Sequence, residues 1–474
     1  MYSLQQSNPA VFPAGIPVLE YLGWCSWDAF EIRVSEDGVL NKCEEFRQKG
    51  IPVKWVMIDD MWGEVHEFYG AKYTCRQEMF PIMHSATLYD FAADPVRFPD
   101  GLKETVKKIN GYGVTVGMWH PTTGYWAGVT KDGPIAKKQK DNLLTAKCGF
   151  LIPSYQTDKA YAFYCAFHDY LKNSGVEFVK IDNQSMTNRY YREFDSVGSV
   201  ARQFHAAMEK SVNEHFGGKM INCMGMASED MFNRADSPVS RCSADFQPND
   251  REWFREHVVQ CAYNSLVQGQ FYFEDWDMWW THDGQAKKNS LVRAICGGPI
   301  YVSDKLGESV KEILDPLVLS DGRILRCDRP ATPTRDCLTV DPIVSDNIFK
   351  LQNVCGDAGV IAAFNLKSDG GKETGYISPS DVEGLKGEEF AVFEHFSREF
   401  TVLKKNERIA VTLKDNDCFK LYIIAPLKDG DCVIGRTDKY ISPKTLKTLP
   451  SGEKTLIEKG PYAYVKDRKI YFED

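Results

Sequence analysis

The chain has 474 residues, of which 43% are hydrophobic, 12% aromatic and 26% charged, and its formal net charge is −9. This composition excludes a disordered chain, and the length exceeds that of one ordinary domain, so we expect two globular domains. Lysine and arginine are interspersed with acidic residues, which excludes the basic surface that binds nucleic acid or an anionic membrane.

The N-terminus and the cysteines predict a soluble protein of the cytoplasm. Residues 1–9 have neither the basic region nor the apolar stretch of a secretion signal, and no window reaches about 18 uncharged apolar residues. The 14 cysteines are scattered without a C-x-x-C pair, which favours reduced thiols over a disulfide framework. Histidine and cysteine do not fall at metal-ligand spacings, so we expect no metal and no cofactor.

Strand-like apolar runs alternate with helix-like segments from about residue 20 to about residue 335. Helices are predicted over Asp37–Lys49, Asp100–Asn110 and Ala160–Asn173. The predicted strands, in chain order, are Tyr21–Gly23, Trp55–Ile58, Val114–Met118, residues 174–181, Lys219–Asn222, Ser240–Ala244, Gln268–Phe273 and Pro299–Val302. About eight such units are the number that a closed (β/α)8 TIM barrel needs.

Polar and aromatic residues follow these strands directly. In a barrel the carboxyl ends of all strands meet at one rim, where active sites are built. The side chains expected around that rim are Trp24, Trp27, Asp59, Asp60, Trp119, Lys180, Asp182, Cys223, Arg241 and Asp245, with His120 and Trp276 as further candidate substrate contacts. The other histidines, His66, His84, His168, His205, His215 and His257, are interpreted as surface or packing residues.

Asp182, which follows Val179-Lys180-Ile181, is the first candidate nucleophile. One aspartate after one strand is as often a helix cap, but the other rim carboxylates and tryptophans favour a site. Separated carboxylates with aromatic walls indicate glycoside cleavage, in which one acid attacks the sugar and the other protonates the leaving oxygen. Asp182 and Asp245 suit that pair, and their separation, which decides retaining against inverting chemistry, stays open.

Three further features of the rim suit a sugar. Lys180 points to the same side of its strand as Asp182, where it could keep the carboxylate ionised, bind a sugar hydroxyl, or form an interior ion pair. Asp59 and Asp60 offer adjacent acceptors that could grip neighbouring hydroxyls, with a cation site as the competing interpretation. The tryptophans, including Trp126 and those of residues 275–280, offer flat surfaces on which sugar rings stack.

The pattern changes after Arg335 to short alternating runs separated by Gly-rich and Asp-rich turns. Such runs predict an antiparallel β domain, interpreted as a structural β-sandwich. We therefore expect a catalytic barrel over residues 1–340 and a C-terminal β-sandwich domain over residues 341–474.

Several motifs resemble the raffinose synthase and seed-imbibition branch of glycoside hydrolase family 36. They are residues 22–30 (Leu-Gly-Trp-Cys-Ser-Trp-Asp-Ala-Phe), residues 58–62 (Ile-Asp-Asp-Met-Trp), Val179–Asp182, Arg241–Phe246, Asp275–Met278, residues 297–305 and Pro333–Leu338. In sequence order and spacing together they form a specific pattern over roughly residues 20–365.

The resemblance implies a barrel of the α-galactosidase clan and a retaining double displacement. It assigns Asp182 as nucleophile and Asp245 as acid/base. Asp59 and Asp60 match residues that bind the 4- and 6-hydroxyls of galactose. The matches for the remaining contacts are Lys180 and Arg241 around the 2- and 3-hydroxyls, Trp27 and Trp119 as pocket walls, and Cys223 facing the 2-position.

The chain also departs from the family pattern. Family members usually carry a large β-sandwich before the barrel, whereas here the barrel motif begins near residue 22, so that domain is expected to be missing. Asn183 and the loop over residues 224–226 differ from the plant enzymes, which leaves open whether the sugar carries a hydroxyl, an amine or an acetamido group at its 2-position.

The sequence therefore predicts a retaining α-galactosidase-like hydrolase. It acts on a terminal α-galactosyl unit, with an α-N-acetylgalactosaminyl or α-galactosaminyl unit left open. The alternative is a raffinose-synthase-like galactosyltransferase, which would use the same residues and resolve the intermediate with a sugar hydroxyl instead of water. A catalytically silent sugar-binding protein is the third hypothesis. The expected partner is an α-galactoside oligosaccharide or glycoconjugate, and a homo-oligomer stays open.

Overall fold

The computed structural model describes residues 16–66 and 72–474. Residues 1–9, in which no secretion signal is predicted, lie outside the described residues. The described chain divides into two compact units, one of residues 16–241 with Tyr301–Ser309 and the other of residues 242–300 with 310–474. Within the described ranges, no helix combines the length and the apolar character needed to cross a membrane.

Eight short strands form the principal sheet. They are β1 (Gly23–Cys25), β2 (Trp55–Ile58), β3 (Thr115–Pro121), β4 (Phe178–Asp182), β5 (Met220–Asn222), β6 (Val239–Arg241), β7 (Phe273–Asp275) and β8 (Tyr301–Val302). Their order is β7-β6-β5-β4-β3-β2-β1-β8, and the neighbours from β8 through β1 to β6 pair in parallel. Consecutive strands are neighbours and β1 also pairs with β8, which confirms the predicted (β/α)8 barrel.

The predicted strands agree with the structure to within a few residues, with one exception. The strand Trp55–Ile58 has the predicted bounds, whereas the next strand runs on to Pro121 and so includes Trp119 and His120. The strand predicted over Gln268–Phe273 is wrong, because Gln268 is the last residue of helix Arg251–Gln268 and the strand begins at Phe273. Gly269 caps that helix, so the apolar run after it begins in a turn.

The helices include all three that the sequence predicts. The α-helices are Trp27–Phe30, Glu36–Lys49, Arg76–Ser85, Gly101–Asn110, Pro134–Lys138, Thr157–Asn173, Thr187–Tyr191, Val197–Phe216, Ser228–Met231, Arg251–Gln268, Ala286–Cys296 and Lys311–Leu314. The short 3-10 helices are Pro17–Glu20, Glu31–Arg33, Lys140–Asn142, Gln184–Met186, Asp315–Leu317, Arg335–Cys337, Pro379–Asp381 and Ser442–Thr445. Helix Glu36–Lys49 shows why the predictions succeed: Ser35 accepts a hydrogen bond from the Gly38 amide at its start, and left-handed Gly50 ends it.

Two pairs of antiparallel strands interrupt the strand and helix alternation of the barrel. Strand Gly63–His66 pairs antiparallel with Thr87–Ala93, and Leu143–Thr145 pairs with Leu151–Pro153. Each follows the carboxyl end of a barrel strand, β2 and β3 respectively. Because the carboxyl ends form the active-site rim of a barrel, both insertions lie in the loops that shape a substrate site.

The C-terminal part of the other unit contains antiparallel sheets, as predicted. Its largest sheet has the order Thr332–Pro333, Phe349–Cys355, Ala358–Phe364, Phe419–Pro426, Glu389–Glu394 and Phe400–Lys404. The smaller sheets pair Glu373–Ile377 with Ile409–Leu413, Leu446–Thr448 with Lys454–Leu456, and Tyr462–Lys466 with both Cys432–Arg436 and Lys469–Glu473. A buried cluster that includes Ile361, Phe390 and Tyr422 forms its core. The domain boundary at residue 340 stays a prediction.

Candidate active site

Strand β4 brings Lys180 and Asp182 to one side of the sheet. Successive side chains of a strand point to opposite faces, so residues two apart share a face. All five residues of β4 are buried, and Trp119 of β3 is the register partner of Lys180. The Trp119 indole nitrogen Nε1 donates a hydrogen bond of 2.9 Å to Oδ2 of Asp182. The three side chains therefore lie on the interior face of the barrel wall.

Asp182 is held in place through both carboxylate oxygens. Oδ2 accepts from Trp119, and Oδ1 accepts from the backbone amide of Asn183 at 2.6 Å. The relative solvent-accessible surface of Asp182 is 8%, so the residue is buried. A buried carboxylate oriented by two donors has the fixed position that an enzymatic nucleophile needs.

The turns after the carboxylates share an unusual backbone conformation. Met61 after Asp60, Asn183 after Asp182, and Met224 after Cys223 all have positive φ, at 68°, 63° and 46° respectively. Residues other than glycine rarely adopt this left-handed region, and such residues cluster at functional sites. Asn183 is stabilised there by a 3.0 Å hydrogen bond from its Nδ2 to Thr123 Oγ1.

Lys180 forms a buried ion pair with Asp59. Lys180 Nζ lies 2.9 Å from Asp59 Oδ2, and both side chains are at most 4% exposed. Burial favours the neutral amine, but the Asp59 charge outweighs it, so the pKa of Lys180 lies well above its ordinary value. The Cys25 thiol also donates to Asp59 Oδ2, at 3.2 Å, and burial together with Asp59 raises the pKa of this thiol.

Asp60 occupies a different environment from its neighbour. Tyr125 Oη and the Met61 amide both donate to Oδ1 of Asp60, and Trp126 Nε1 donates to Oδ2 at 2.6 Å. Burial raises the pKa of Asp60 to about 7, although the hydrogen bonds from Tyr125 and Trp126 lower it. The vicinal acids therefore differ: Asp59 is paired with a cation, and Asp60 is surrounded by aromatic donors.

Cys223 and Arg241 meet at the ends of β5 and β6. Arg241 Nη2 lies 3.3 Å from Cys223 Sγ, and both residues are buried. The loop after Cys223 is fixed by Arg234, whose Nη2 donates to the Gly225 carbonyl at 3.0 Å. The residues predicted to face the sugar 2-position are thus in contact with each other.

Two predicted substrate contacts, Trp24 and His120, lie on the opposite face of their strands from Lys180 and Asp182. Trp24 is fully buried, with its ring 5.8 Å from Phe30, and His120 Nε2 lies 3.1 Å from His168 Nε2 on helix Thr157–Asn173. Strand alternation explains both cases, since the neighbours Cys25 and Trp119 take the interior face. Burial lowers the pKa of His120 to about 4. The role of Trp24 and His120 as sugar contacts stays a prediction.

The remaining candidates lie in various environments. Trp27 begins a short helix and is 7% exposed. In the unit that contains residues 242–300, Asp245 is half-buried and its carbonyl accepts a hydrogen bond from Trp253 Nε1 at 2.7 Å. Trp276 is fully buried, and its carbonyl lies 3.0 Å from His257 Nε2. The roles of Asp245, Trp27 and Trp276 stay predictions.

Sequence reasoning missed some residues of the site. Cys25 contacts Asp59 and Tyr125 contacts Asp60, and neither is among the site residues predicted from the sequence. Cys25 is the last residue of β1, and Tyr125 follows β3 by four residues, so position at or after the carboxyl end of a barrel strand is the signal that could have found them. Over residues 16–66 and 72–474, no group of three or more His, Cys, Asp or Glu side chains is arranged to hold a metal ion.

Comparison with protein families identifies the chain's relatives. A family model described as "Raffinose synthase or seed imbibition protein Sip1" matches residues 11–376. The chain belongs to this family. The match covers the barrel strands and every candidate site residue named above, so the resemblance carried by the sequence motifs is confirmed.

The raffinose synthase family includes curated relatives from plants. The chain is 29% identical over 480 residues to a probable galactinol–sucrose galactosyltransferase 6 of Arabidopsis thaliana, covering 91% of this chain and 64% of that protein. It is also 29% identical over 474 residues to a galactinol–sucrose galactosyltransferase of Oryza sativa subsp. japonica, covering 87% and 59% respectively. The chain thus spans about three fifths of the length of these relatives.

A solved structure of another protein has the same fold as this chain. The crystal structure of α-galactosidase I from Mortierella vinacea superposes with a TM-score of 0.58 at 15% identity, over 87% of this chain and 98% of that one. At this identity the likeness shows the barrel and the antiparallel C-terminal sheets as a shared fold.

Removal of the Lys180 charge should destabilise the protein strongly. Lys180→Met leaves Asp59 as a buried carboxylate without its cation, which costs about 3–5 kcal/mol. The double variant Lys180→Met/Asp59→Asn should recover a large part of this loss. The free energy of unfolding from denaturant titration measures both. Lys107→Met, which breaks the exposed pair with Glu104, is the control and should cost less than about 1 kcal/mol. A loss in the double variant equal to the sum of the losses in Lys180→Met and Asp59→Asn measured separately would contradict a coupled pair.

The raised pKa of Asp60 predicts a pH-dependent stability. Between its ordinary value of 3.8 and its folded value of about 7, the unfolded state releases the proton and the folded state keeps it. The free energy of unfolding of the wild type, relative to Asp60→Asn, should therefore fall as pH rises from about 4 to 7, by on the order of 4 kcal/mol. Denaturant titrations of both proteins across this range measure it, and a constant difference would rule out the raised pKa.

Proposed function

We propose that this chain transfers an α-galactosyl unit from an α-galactoside donor to a sugar hydroxyl, by a double displacement at Asp182. The carrying observation is the Asp182 carboxylate, oriented by Trp119 and the Asn183 amide at the end of a barrel strand in a member of the raffinose synthase family. The activity, donor and acceptor are proposals, since the chain spans only part of its relatives.

Both displacements use the assigned carboxylates. In the first, an Asp182 oxygen attacks the anomeric carbon, the bond to the leaving oxygen breaks, and the acid/base protonates that oxygen. In the second, the acceptor hydroxyl gives its proton to the acid/base and attacks the anomeric carbon, which releases Asp182. Asp245 is the proposed acid/base, on the sequence resemblance.

The galactosyl unit is proposed to bind through the groups around Asp182. Asp59 and Asp60 accept hydrogen bonds from the 4- and 6-hydroxyls. The Lys180 ammonium forms a buried ion pair with Asp59 and can donate a hydrogen bond to a hydroxyl. Arg241, whose Nη2 lies 3.3 Å from Cys223 Sγ, is the proposed donor to the hydroxyls at the 2- and 3-positions.

We propose galactosyl transfer to a sugar hydroxyl as the main reaction, whereas the sequence motifs alone favour hydrolysis. The similar curated plant proteins carry the name galactinol–sucrose galactosyltransferase, whereas the α-galactosidase structure shares the fold alone. Hydrolysis and transfer differ only in the group that resolves the galactosyl-enzyme, so both remain outcomes of one experiment. A catalytic barrel over residues 1–340 and a cytoplasmic location complete the proposal.

Product analysis with galactinol as donor and sucrose as acceptor tests this function. We expect a trisaccharide one hexose larger than sucrose, and Asp182→Ala should reduce its formation by about 10³-fold or more, since the nucleophile is lost. Anion-exchange chromatography of the products measures both. Asp141→Ala, which removes an exposed carboxylate, is the matched control and should leave the rate unchanged.

Three results would contradict transfer at Asp182. Free galactose without any trisaccharide would identify a hydrolase. Sugar binding without turnover would identify a silent binding protein. An Asp182→Ala protein with the rate of the wild type would remove Asp182 from the mechanism.

A further inference from the structure

The insertion after β2 carries a helix that is tied to the rim of β1. Arg76 at the start of helix Arg76–Ser85 pairs with Asp28 at 2.5 Å and with Glu31 at 2.8 Å. Asp28 and Glu31 follow β1 directly. Burial lowers the pKa of Arg76, but Asp28 and Glu31 outweigh it, so its pKa is raised and the pair is charged. The helix is therefore held at the carboxyl end of the barrel.

The last turn of this helix presents His84, which is exposed. The His84 ring centroid lies 5.0 Å from that of Trp126, at an interplanar angle of 59°. The ring of Phe80, one turn earlier, stacks with that of His84 at a centroid distance of 5.8 Å. Two aromatic neighbours fix the imidazole, while its exposure leaves ring nitrogens available to a ligand.

An aromatic surface connects His84 with the buried carboxylates. Trp126 donates to Asp60 at 2.6 Å, its ring lies 5.6 Å from that of Trp119, and Trp119 donates to Asp182 at 2.9 Å. Exposure increases along this surface, from buried Trp119 through half-buried Trp126 to exposed His84. The surface thus leads outward from the galactosyl position.

Two charged side chains, Arg189 and Asp182, act on the imidazole of His84. Partial burial and the positive charge of Arg189 lower the pKa of His84, and the negative charge of Asp182 acts in the opposite direction. His84 therefore lies within electrostatic reach of the proposed nucleophile, and its imidazole is neutral at neutral pH. A neutral imidazole can donate one hydrogen bond and accept another, as a sugar hydroxyl requires.

We propose that His84 and Trp126 form the binding surface for the sugar that accepts the galactosyl unit. The inference rests on the proposed function and adds to it the residues that select acceptor over water. A sugar ring on Trp126 stacks its C–H face on the indole, and His84 binds one of its hydroxyls at the outer edge. Occupation of this surface places the acceptor hydroxyl, and not water, beside the galactosyl-enzyme.

The test uses α-galactosyl fluoride as donor, because fluoride leaves without occupying the acceptor surface. Fluoride release measures galactosyl-enzyme formation, and the ratio of trisaccharide to free galactose at a fixed sucrose concentration measures acceptor capture. For His84→Ala we expect this ratio to fall about tenfold and half-saturation by sucrose to rise about tenfold. His84→Gln, which keeps a hydrogen-bonding group, should restore part of the ratio.

His215→Ala is the control, because His215 bonds Asp169 and Ser211 on the outer helices. Its product ratio should equal that of the wild type. A ratio is independent of the folded fraction, so partial unfolding cannot imitate the result. An unchanged ratio and unchanged half-saturation in His84→Ala would overturn the inference.

Failure of the proposed function has a different signature. A wild-type protein that releases no fluoride would refute galactosyl transfer at Asp182. In that case saturation-transfer NMR with sucrose decides the acceptor surface: loss of the sucrose signal in His84→Ala supports it, and equal signals, or no signal with the wild type, refute it.

Discussion

The buried ion pair between Lys180 and Asp59 is the interaction on which the site depends. It joins the end of β4 to the end of β2 at 2.9 Å, in surroundings where either charge alone would be unfavourable. Buried Asp59 requires a cation beside it, and Lys180 of the Lys-x-Asp motif supplies that cation. Because strand residues two apart share a face, the same requirement directs Asp182 to the barrel interior. A structural pair thus positions the proposed nucleophile.

The carboxylates of the site differ because their partners differ. Asp59 receives a cation and a thiol, Asp60 receives two aromatic donors, and Asp182 receives an indole and a backbone amide. The residues after Asp60, Asp182 and Cys223 all adopt the left-handed backbone conformation, which turns the chain at the rim. One rim thereby offers several acceptors with different hydrogen-bond partners, which suits a polyhydroxylated substrate.

Much of this arrangement could be predicted from the sequence, for reasons visible in particular residues. The continuous apolar run Trp55–Ile58 indicates a buried strand. The two-residue spacing of Lys180 and Asp182 matches the period of a strand. The outward orientation of Trp24 and His120 could not be predicted, because residue type does not show which face a strand end presents. The contact of Tyr125 with Asp60 depends on the path of a loop, and the choice between water and a sugar as acceptor leaves no trace in the shared catalytic motifs.

The central claim is that Asp182 carries the galactosyl unit. The most direct measurement is mass spectrometry after incubation with a fluorinated α-galactosyl fluoride, whose glycosyl-enzyme resolves slowly. We expect a mass increase of one fluorogalactosyl group, located by peptide fragmentation on Asp182. A label on any other residue, or turnover of the reagent without a covalent intermediate, would contradict it.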